Sequence, residues 1–231
     1  MKAFWRWTRR GLAIFVLLLL AWQGWYLGWV VWWKFVNPST TSFMSLRLDE
    51  LREKDPGAEL NKQWVPYARI STHLKRAVVA AEDAKFSEHE GFDWEGIQKA
   101  LEKNRKKGKI VAGGSTISQQ LAKNLFLSGT KTPWRKAQEA VITLMLEAVL
   151  DKRRILEIYL NVVEWGSGVF GAEAAARYYY ALSAAQLSAE QAARLAVLLP
   201  NPRKFGRLPN SPYLAARSQV ILGRMSSADI P

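Results

Sequence analysis

The sequence predicts a mainly α-helical fold preceded by one N-terminal transmembrane helix, and three observations carry that expectation. Residues 11–33 form a run of 23 residues without a charge. From about Ser71 onward, apolar residues recur at helical spacing, with capping signals before several of the runs. No clear run of alternating apolar and polar residues marks a strand, although residues 43–70 leave room for a small β element.

Composition narrows the class. The 231 residues hold 33 Lys plus Arg against 20 Asp plus Glu, a net charge of +13, with 49% apolar and 23% charged residues. Such a chain can bury a core and is not disordered, and its length suits one domain with an appendage. The absence of Cys removes thiol catalysis, thiolate metal sites and disulfides together.

At a rise of about 1.5 Å per residue, the uncharged run crosses a hydrocarbon layer of about 30 Å. Trp5 and Trp7 precede it, and Trp22, Trp25, Trp29, Trp32 and Trp33 line its second half, as interfacial anchors do. A cleaved signal peptide would carry an apolar stretch of about 7–15 residues ending in small residues; here the run is longer and Lys34-Phe35 follows it. Lys2, Arg6, Arg9 and Arg10, without acids among them, place the N-terminus in the cytoplasm. The expected division is a cytoplasmic N-terminus at 1–10, an anchor at 11–33, a linker and membrane-proximal segment at 34–64, and the main domain at 65–231. Past Lys34 the balance is 28 basic to 20 acidic residues, or +8. On the far side of a membrane that charge suits lipid headgroups and phosphorylated lipids, with no nucleic acid partner.

Within the main domain, Leu74, Val78, Glu82 and Phe86 recur every four residues and predict one helix face. A second helix starts near Asp93 and runs into the basic stretch at 103–109. Gly113-Gly114 and Ser115 read as a turn and N-cap ahead of a helix at 116–126. Pro133 opens a long apolar helix at 134–150, and Asp151 caps the next at 152–162. Two capping boxes, Ser183 with Gln186 and Ser188 with Gln191, introduce a helix ending at Leu199-Pro200, and a last one spans about 213–224.

Glu82, on an apolar face, would lose hydration and gain a raised pKa suited to proton transfer; an isolated acid at a helix end reads equally as solvent-facing. Thr116, Gln120, Lys123 and Asn124 align on one helix face, either as solvated surface or as an anion site with the free amides of Gly-Gly-Ser. Arg135 and Glu139 stand at i, i+4 with Lys136 beside them. They form an intrahelical ion pair or, with Lys123, cations for a pyrophosphate and one carboxylate for a divalent metal. The 103–109 stretch reads as a solvated loop or as a steering patch for anionic lipid. His73 and His89 lack metal-ligand spacing, no Gly-x-x-x-x-Gly-Lys loop occurs, and Ser128-Gly-Thr-Lys131 lacks the companion motifs of a transpeptidase.

Taken together, these segments resemble the peptidoglycan glycosyltransferases of glycosyltransferase family 51. The motifs, in order, are Glu82-Asp83-Ala-Lys-Phe86-Ser-Glu-His89-Glu-Gly91, then Gly114-Ser115-Thr116-Ile-Ser-Gln119-Gln120 continued by Leu-Ala-Lys123-Asn124, Arg135-Lys136-Ala-Gln-Glu139, and Lys152-Arg-Arg-Ile-Leu-Glu157-Ile-Tyr-Leu-Asn161. A late segment, from Arg194 to Pro202, also matches. Ser118 stands where Thr is usual and Leu199 where Gly is common before Pro200; neither touches the chemistry. Without transpeptidase motifs the chain resembles the monofunctional, Gram-negative type.

The resemblance implies a lysozyme-like helical lobe with a smaller membrane-proximal lobe and the cleft between them. It implies polymerisation of lipid II and the growing glycan strand into β-1,4 glycan, with inversion and release of undecaprenyl pyrophosphate. In that reading Glu82 and Glu139 are the catalytic acids, Glu82 as general base and Glu139 binding Mg²⁺ or Mn²⁺ or orienting the cations. Lys123, Arg135 and Lys136 hold the pyrophosphate. Ser115, Thr116, Gln119, Gln120 and Asn124 belong to the donor site, and Asp83, Phe86 and His89 shape the cleft around the base. The implied setting is the cell inner membrane, single-pass, with the catalytic domain periplasmic and membrane lipids and other cell-wall synthesis proteins as neighbours. The rival readings are a glycan-cleaving muramidase or lytic transglycosylase, which has no use for the three cations, and a non-catalytic cell-wall scaffold.

Overall fold

A computed structural model describes residues 2–109, 113–130, 132–208 and 211–231. Lys131, the last residue of the Ser-x-x-Lys sequence, lies outside the described residues. Helix α1 (Lys2–Trp33) is continuous through the basic N-terminal residues and the apolar run. It is long and apolar enough to cross a membrane, and most of its apolar side chains face outward. Its C-terminal half does not stand free, because Phe126 packs edge-on to Tyr26 (5.2 Å between ring centroids) and against Trp33 (4.9 Å). Gln23 and Gln138 exchange two side-chain hydrogen bonds of 2.9 and 3.0 Å. The helix end is closed by Arg154, which donates to the Trp33 carbonyl at 2.9 and 3.0 Å and to the Val36 carbonyl at 3.1 Å.

Residues 34–64, expected as a linker and membrane-proximal segment, contain two structured pieces. Helix α2 (Ser42–Arg52), not predicted from sequence, forms because Thr41 caps it from its side chain and Phe43 and Met44 bury their side chains. It packs on α5 (Ile117–Phe126). Strand β1 (Asn61–Lys62) is the small β element expected between 43 and 70. It pairs in parallel with β3 (Val169–Phe170), which pairs antiparallel with β2 (Glu164–Gly166), and the register slips between Glu164 and Gly166.

Helix α3 (Thr72–Glu82) is capped by Ser71 and stops at Glu82. Phe86 is therefore not on the same helix as Glu82: the chain turns at Asp83 and Phe86 enters the core from beyond the helix, fully buried. The turn has a clear cause. The Asp83 carboxylate reaches the backbone N–H of Ile117 (3.0 Å) and His89 Nε2 (2.9 Å), which a twelfth helical residue in that direction could not do. Helix α4 (Trp94–Lys107) is capped by Asp93 and closed by Gly108, as its sequence suggests. The following helix is capped by Thr116 in place of the predicted Ser115, since the Thr116–Gln119 capping box satisfies both ends of the turn.

Helices α6 (Pro133–Val149) and α7 (Lys152–Val162) follow; α6 starts at Pro133 as expected, behind a Thr132 cap that was not predicted, and α7 has the predicted Asp151 cap. Helix α8 (Ala172–Tyr180), which sequence reading passed over, has no side-chain cap and an Ala-rich start buried throughout. Of the two predicted capping boxes, Ser183–Gln186 opens a single 3₁₀ turn and Ser188–Gln191 opens α9 (Ala189–Ala196). A four-residue α10 (Pro202–Phe205) and α11 (Pro212–Arg224) complete the chain. The predicted mainly α class holds. Helix α3 packs on α9 and α11, α5 packs on α6, α7 and α2, and Trp165, Tyr159, Phe86 and Phe170 are fully buried in the core.

Candidate active site

A groove of about 490 Å³ runs between the two helix groups. Its wall includes Glu82, Ser115, Gln119, Gln120, Lys123, Asn124, Arg135, Lys136 and Glu139. The ends of three helices create that meeting: Glu82 is the last residue of α3, Ser115 to Asn124 are the entry and body of α5, and Arg135 to Glu139 lie in the first turns of α6.

Glu82 accepts a hydrogen bond from Gln120 Nε2 at 2.7 Å, and Gln120 Oε1 accepts from the Tyr159 hydroxyl at 3.0 Å. Burial raises the Glu82 pKa; the Gln120 amide and the Lys123 ammonium pull it back. A carboxyl group in that balance is suited to taking a proton. Lys123 has its own pKa lowered by burial, an effect that Glu139 opposes.

The cationic part of the wall is compact. Glu139 is 3% exposed; Arg135 Nη1 donates to it at 2.6 Å and Lys136 pairs with its other oxygen. Lys136 also reaches the Ser115 hydroxyl at 3.3 Å, tying α6 to the entry of α5. Arg135 Nε is buried without a hydrogen-bond partner, an unspent donor facing a site of net positive charge. Three cations around one carboxylate suit a polyanion such as a diphosphate. Glu139 is the single carboxylate among these cations and both its oxygens are held by them, so a divalent metal here would draw its remaining ligands from a bound diphosphate.

Four of the predicted site residues are not on the groove wall. Thr116 is buried and donates to the Gly91 carbonyl at 2.7 Å. Asp83, Phe86 and His89 lie behind Glu82, where Asp83 fixes both His89 and the first turn of α5. Gly91 closes that support with φ +88°, and a Cβ there would stand 2.8 Å from Thr143 Cγ2. Phe126 lies against α1, Leu127 is in the core, and Trp134 is exposed with its ring stacked on Trp22.

The groove also has walls that sequence reading missed, namely Phe43, Arg47, Val163 and Glu164, and it is lined by Leu199 to Arg203, most of which lies in the late matching segment that was given no role in the site. These residues carry no common spacing. Glu164 alone left a trace, as a single acid in the apolar stretch Val162-Val163-Glu164-Trp165.

Comparison with known proteins matches residues 49–226 to the family described as Transglycosylase. Over its full length the chain is 63% identical to the biosynthetic peptidoglycan transglycosylase of Dechloromonas aromatica (strain RCB), covering all of both chains. The protein of that name from Azoarcus sp. (strain BH72) is also 63% identical with full coverage of both, and that from Nitrosospira multiformis is 60% identical over 99% of both.

Proposed function

The chain belongs to the transglycosylase family, and from that premise we infer that it polymerises the glycan strands of peptidoglycan. It is a peptidoglycan glycosyltransferase with a lysozyme-like helical body, and one N-terminal helix suits a single-pass membrane anchor. The observation that carries the chemistry is the shared groove, in which Glu82 stands on the same wall as Lys123, Arg135 and Lys136.

In the proposed reaction the 4-hydroxyl of lipid II's GlcNAc attacks the anomeric carbon of the lipid-linked growing strand. The new C–O bond forms as the bond to the diphosphate breaks, with inversion. Glu82 takes the hydroxyl proton. The charge that develops on the departing undecaprenyl diphosphate is received by Lys123, Arg135 and Lys136, so no acid is needed to protonate it. Glu139 holds Arg135 and Lys136 in place, and Gln119, Gln120, Asn124 and Ser115 line the donor's path. Thr116, Asp83, Phe86 and His89 support that wall from behind. Mg²⁺ or Mn²⁺, if bound, would be held by Glu139 together with the diphosphate and would neutralise leaving-group charge.

The fine placement is part of the same proposal: inner membrane, cytoplasmic N-terminus and periplasmic catalytic domain, with membrane lipids and other cell-wall synthesis proteins as neighbours. Incubating the full chain in liposomes with lipid II tests the activity. Polymer that a muramidase digests supports it; cleavage of added glycan, or no change in lipid II, sinks it.

A further inference from the structure

Glu164 is 2% exposed, yet it is on the groove wall. Its Oε2 accepts from Arg47 Nε at 3.2 Å. Its Oε1 is buried and has no hydrogen-bond partner; burial raises the Glu164 pKa, while Arg47, Arg203 and the Gly168 amide favour the charged form. A buried carboxylate oxygen left unmatched beside a groove is costly unless a ligand supplies a donor.

The surroundings fix Glu164 in place. Arg47 Nη1 is bound by Glu50 at 2.7 Å, and Arg203 Nη1 meets Glu50 at 2.9 Å, so Arg47 is clamped between two acids. The Arg47 guanidinium also lies 4.5 Å from the Phe43 ring centroid. Lys123 is 5.7 Å from the same ring, so Phe43 stands between the cations around Glu139 and the Arg47–Glu164 pair.

Displacement with inversion requires the attacking hydroxyl to approach from the side opposite the leaving diphosphate. The Arg47–Glu164 end of the groove lies across Phe43 from Lys123, away from the proposed diphosphate site, and so on a side from which a hydroxyl can approach. Resting on the proposed polymerase reaction, we propose that Glu164 positions the acceptor: its Oε1 accepts a hydrogen bond from an O–H or amide N–H of an N-acetylated hexosamine, while Arg47 keeps the carboxylate charged and oriented.

Glu164→Gln tests this in the full chain. The amide keeps an oxygen for Arg47 and turns an N–H toward the groove, so the donor from the sugar loses its acceptor. Initial rates of lipid II coupling give KM and kcat, farnesyl diphosphate binding reports the cationic end, and thermal melting reports the fold. The expected result is a KM for lipid II raised roughly tenfold or more, as for loss of a hydrogen bond to a charged group, with kcat changed less than about threefold and farnesyl diphosphate affinity and Tm as in the wild type. Arg47→Lys, which loses the Nε contact but keeps the charge, should show the same split. Unchanged KM in a folded Glu164→Gln protein overturns the assignment, as does an equal loss of farnesyl diphosphate binding. Wild-type polymer formation in the same assay is the separate check on the polymerase reading itself.

Discussion

Gln120 donates its side-chain amide to Glu82 at 2.7 Å while its carbonyl oxygen is occupied by the Tyr159 hydroxyl, so the amide cannot flip and the carboxylate always meets an N–H. That hydrogen bond favours the charged carboxylate against the burial that raises its pKa. Gln120→Ala should therefore raise the Glu82 pKa further. A general base works above its pKa, so the acid limb of the pH–rate profile should move to higher pH. An acid limb that stays in place or moves down would remove Glu82 from the role of base.

Glu82→Gln should abolish polymerisation and, near neutral pH, stabilise the protein. The folded-state pKa of Glu82 is raised, so protonation favours folding: the stabilisation is full below the unfolded pKa and is lost as pH rises through the folded value. At pH 7 the native carboxylate is a burden that a neutral amide lifts. A gain of about 1 kcal/mol would raise Tm by roughly 2–4 °C in a chain of this size. The difference should vanish below about pH 4, the unfolded carboxylate range. Melting curves of both proteins at the two pH values check the sign.

Arg135→Ala removes one of the two cations on Glu139 and the buried, unmatched Nε. Affinity for farnesyl diphosphate should fall about tenfold or more, the scale of one charge-assisted hydrogen bond, and Tm should fall as well, since the buried Glu139 oxygen that Arg135 held is left unmatched. Unaltered affinity would mean that the diphosphate lies elsewhere.

Gly91→Ala should lower stability without touching the groove. A side chain at φ +88° is strained, and its Cβ would meet Thr143 and the Glu147 stem. A loss of about 2 kcal/mol, or roughly 4–8 °C in Tm, with residual activity at low temperature would fit. Because Thr116 donates to the Gly91 carbonyl, activity should fail at a lower temperature than in the wild type.

The parts of the site that sit on one helix were readable in advance. Thr116 to Asn124 and Arg135 to Glu139 repeat at three and four residues, and a helix period aligns such positions without help from the rest of the chain. Glu82 and Asp83, adjacent in sequence, separate in role because the helix ends between them, and an end set by a hydrogen bond to Ile117, 34 residues further on, leaves no local mark. The Arg47–Glu164 pair was hidden for a similar reason. It joins a helix to a strand across 117 residues, and only the packing of α2 on α5 and the β2–β3 pairing bring its halves together. Helix α8 escaped notice because it starts at a glycine with no side-chain cap and its Ala-rich first turns show little contrast between faces.

The clasp between α1 and the rest of the chain gives the anchor an unforgiving geometry. With Gln23 locked to Gln138, Trp22 stacked on Trp134 and Arg154 gripping the end of the helix, the rod and the body turn as a single piece. Each residue advances a helix by about 100° and 1.5 Å, so one extra residue between Gln23 and Trp33 would swing the outer rod through more than a quarter turn and break the first two grips at once. In the proposed membrane setting the groove would thus be carried at a fixed height and compass bearing on its mast, and a substrate sliding in the plane of the bilayer would meet an opening that does not wander.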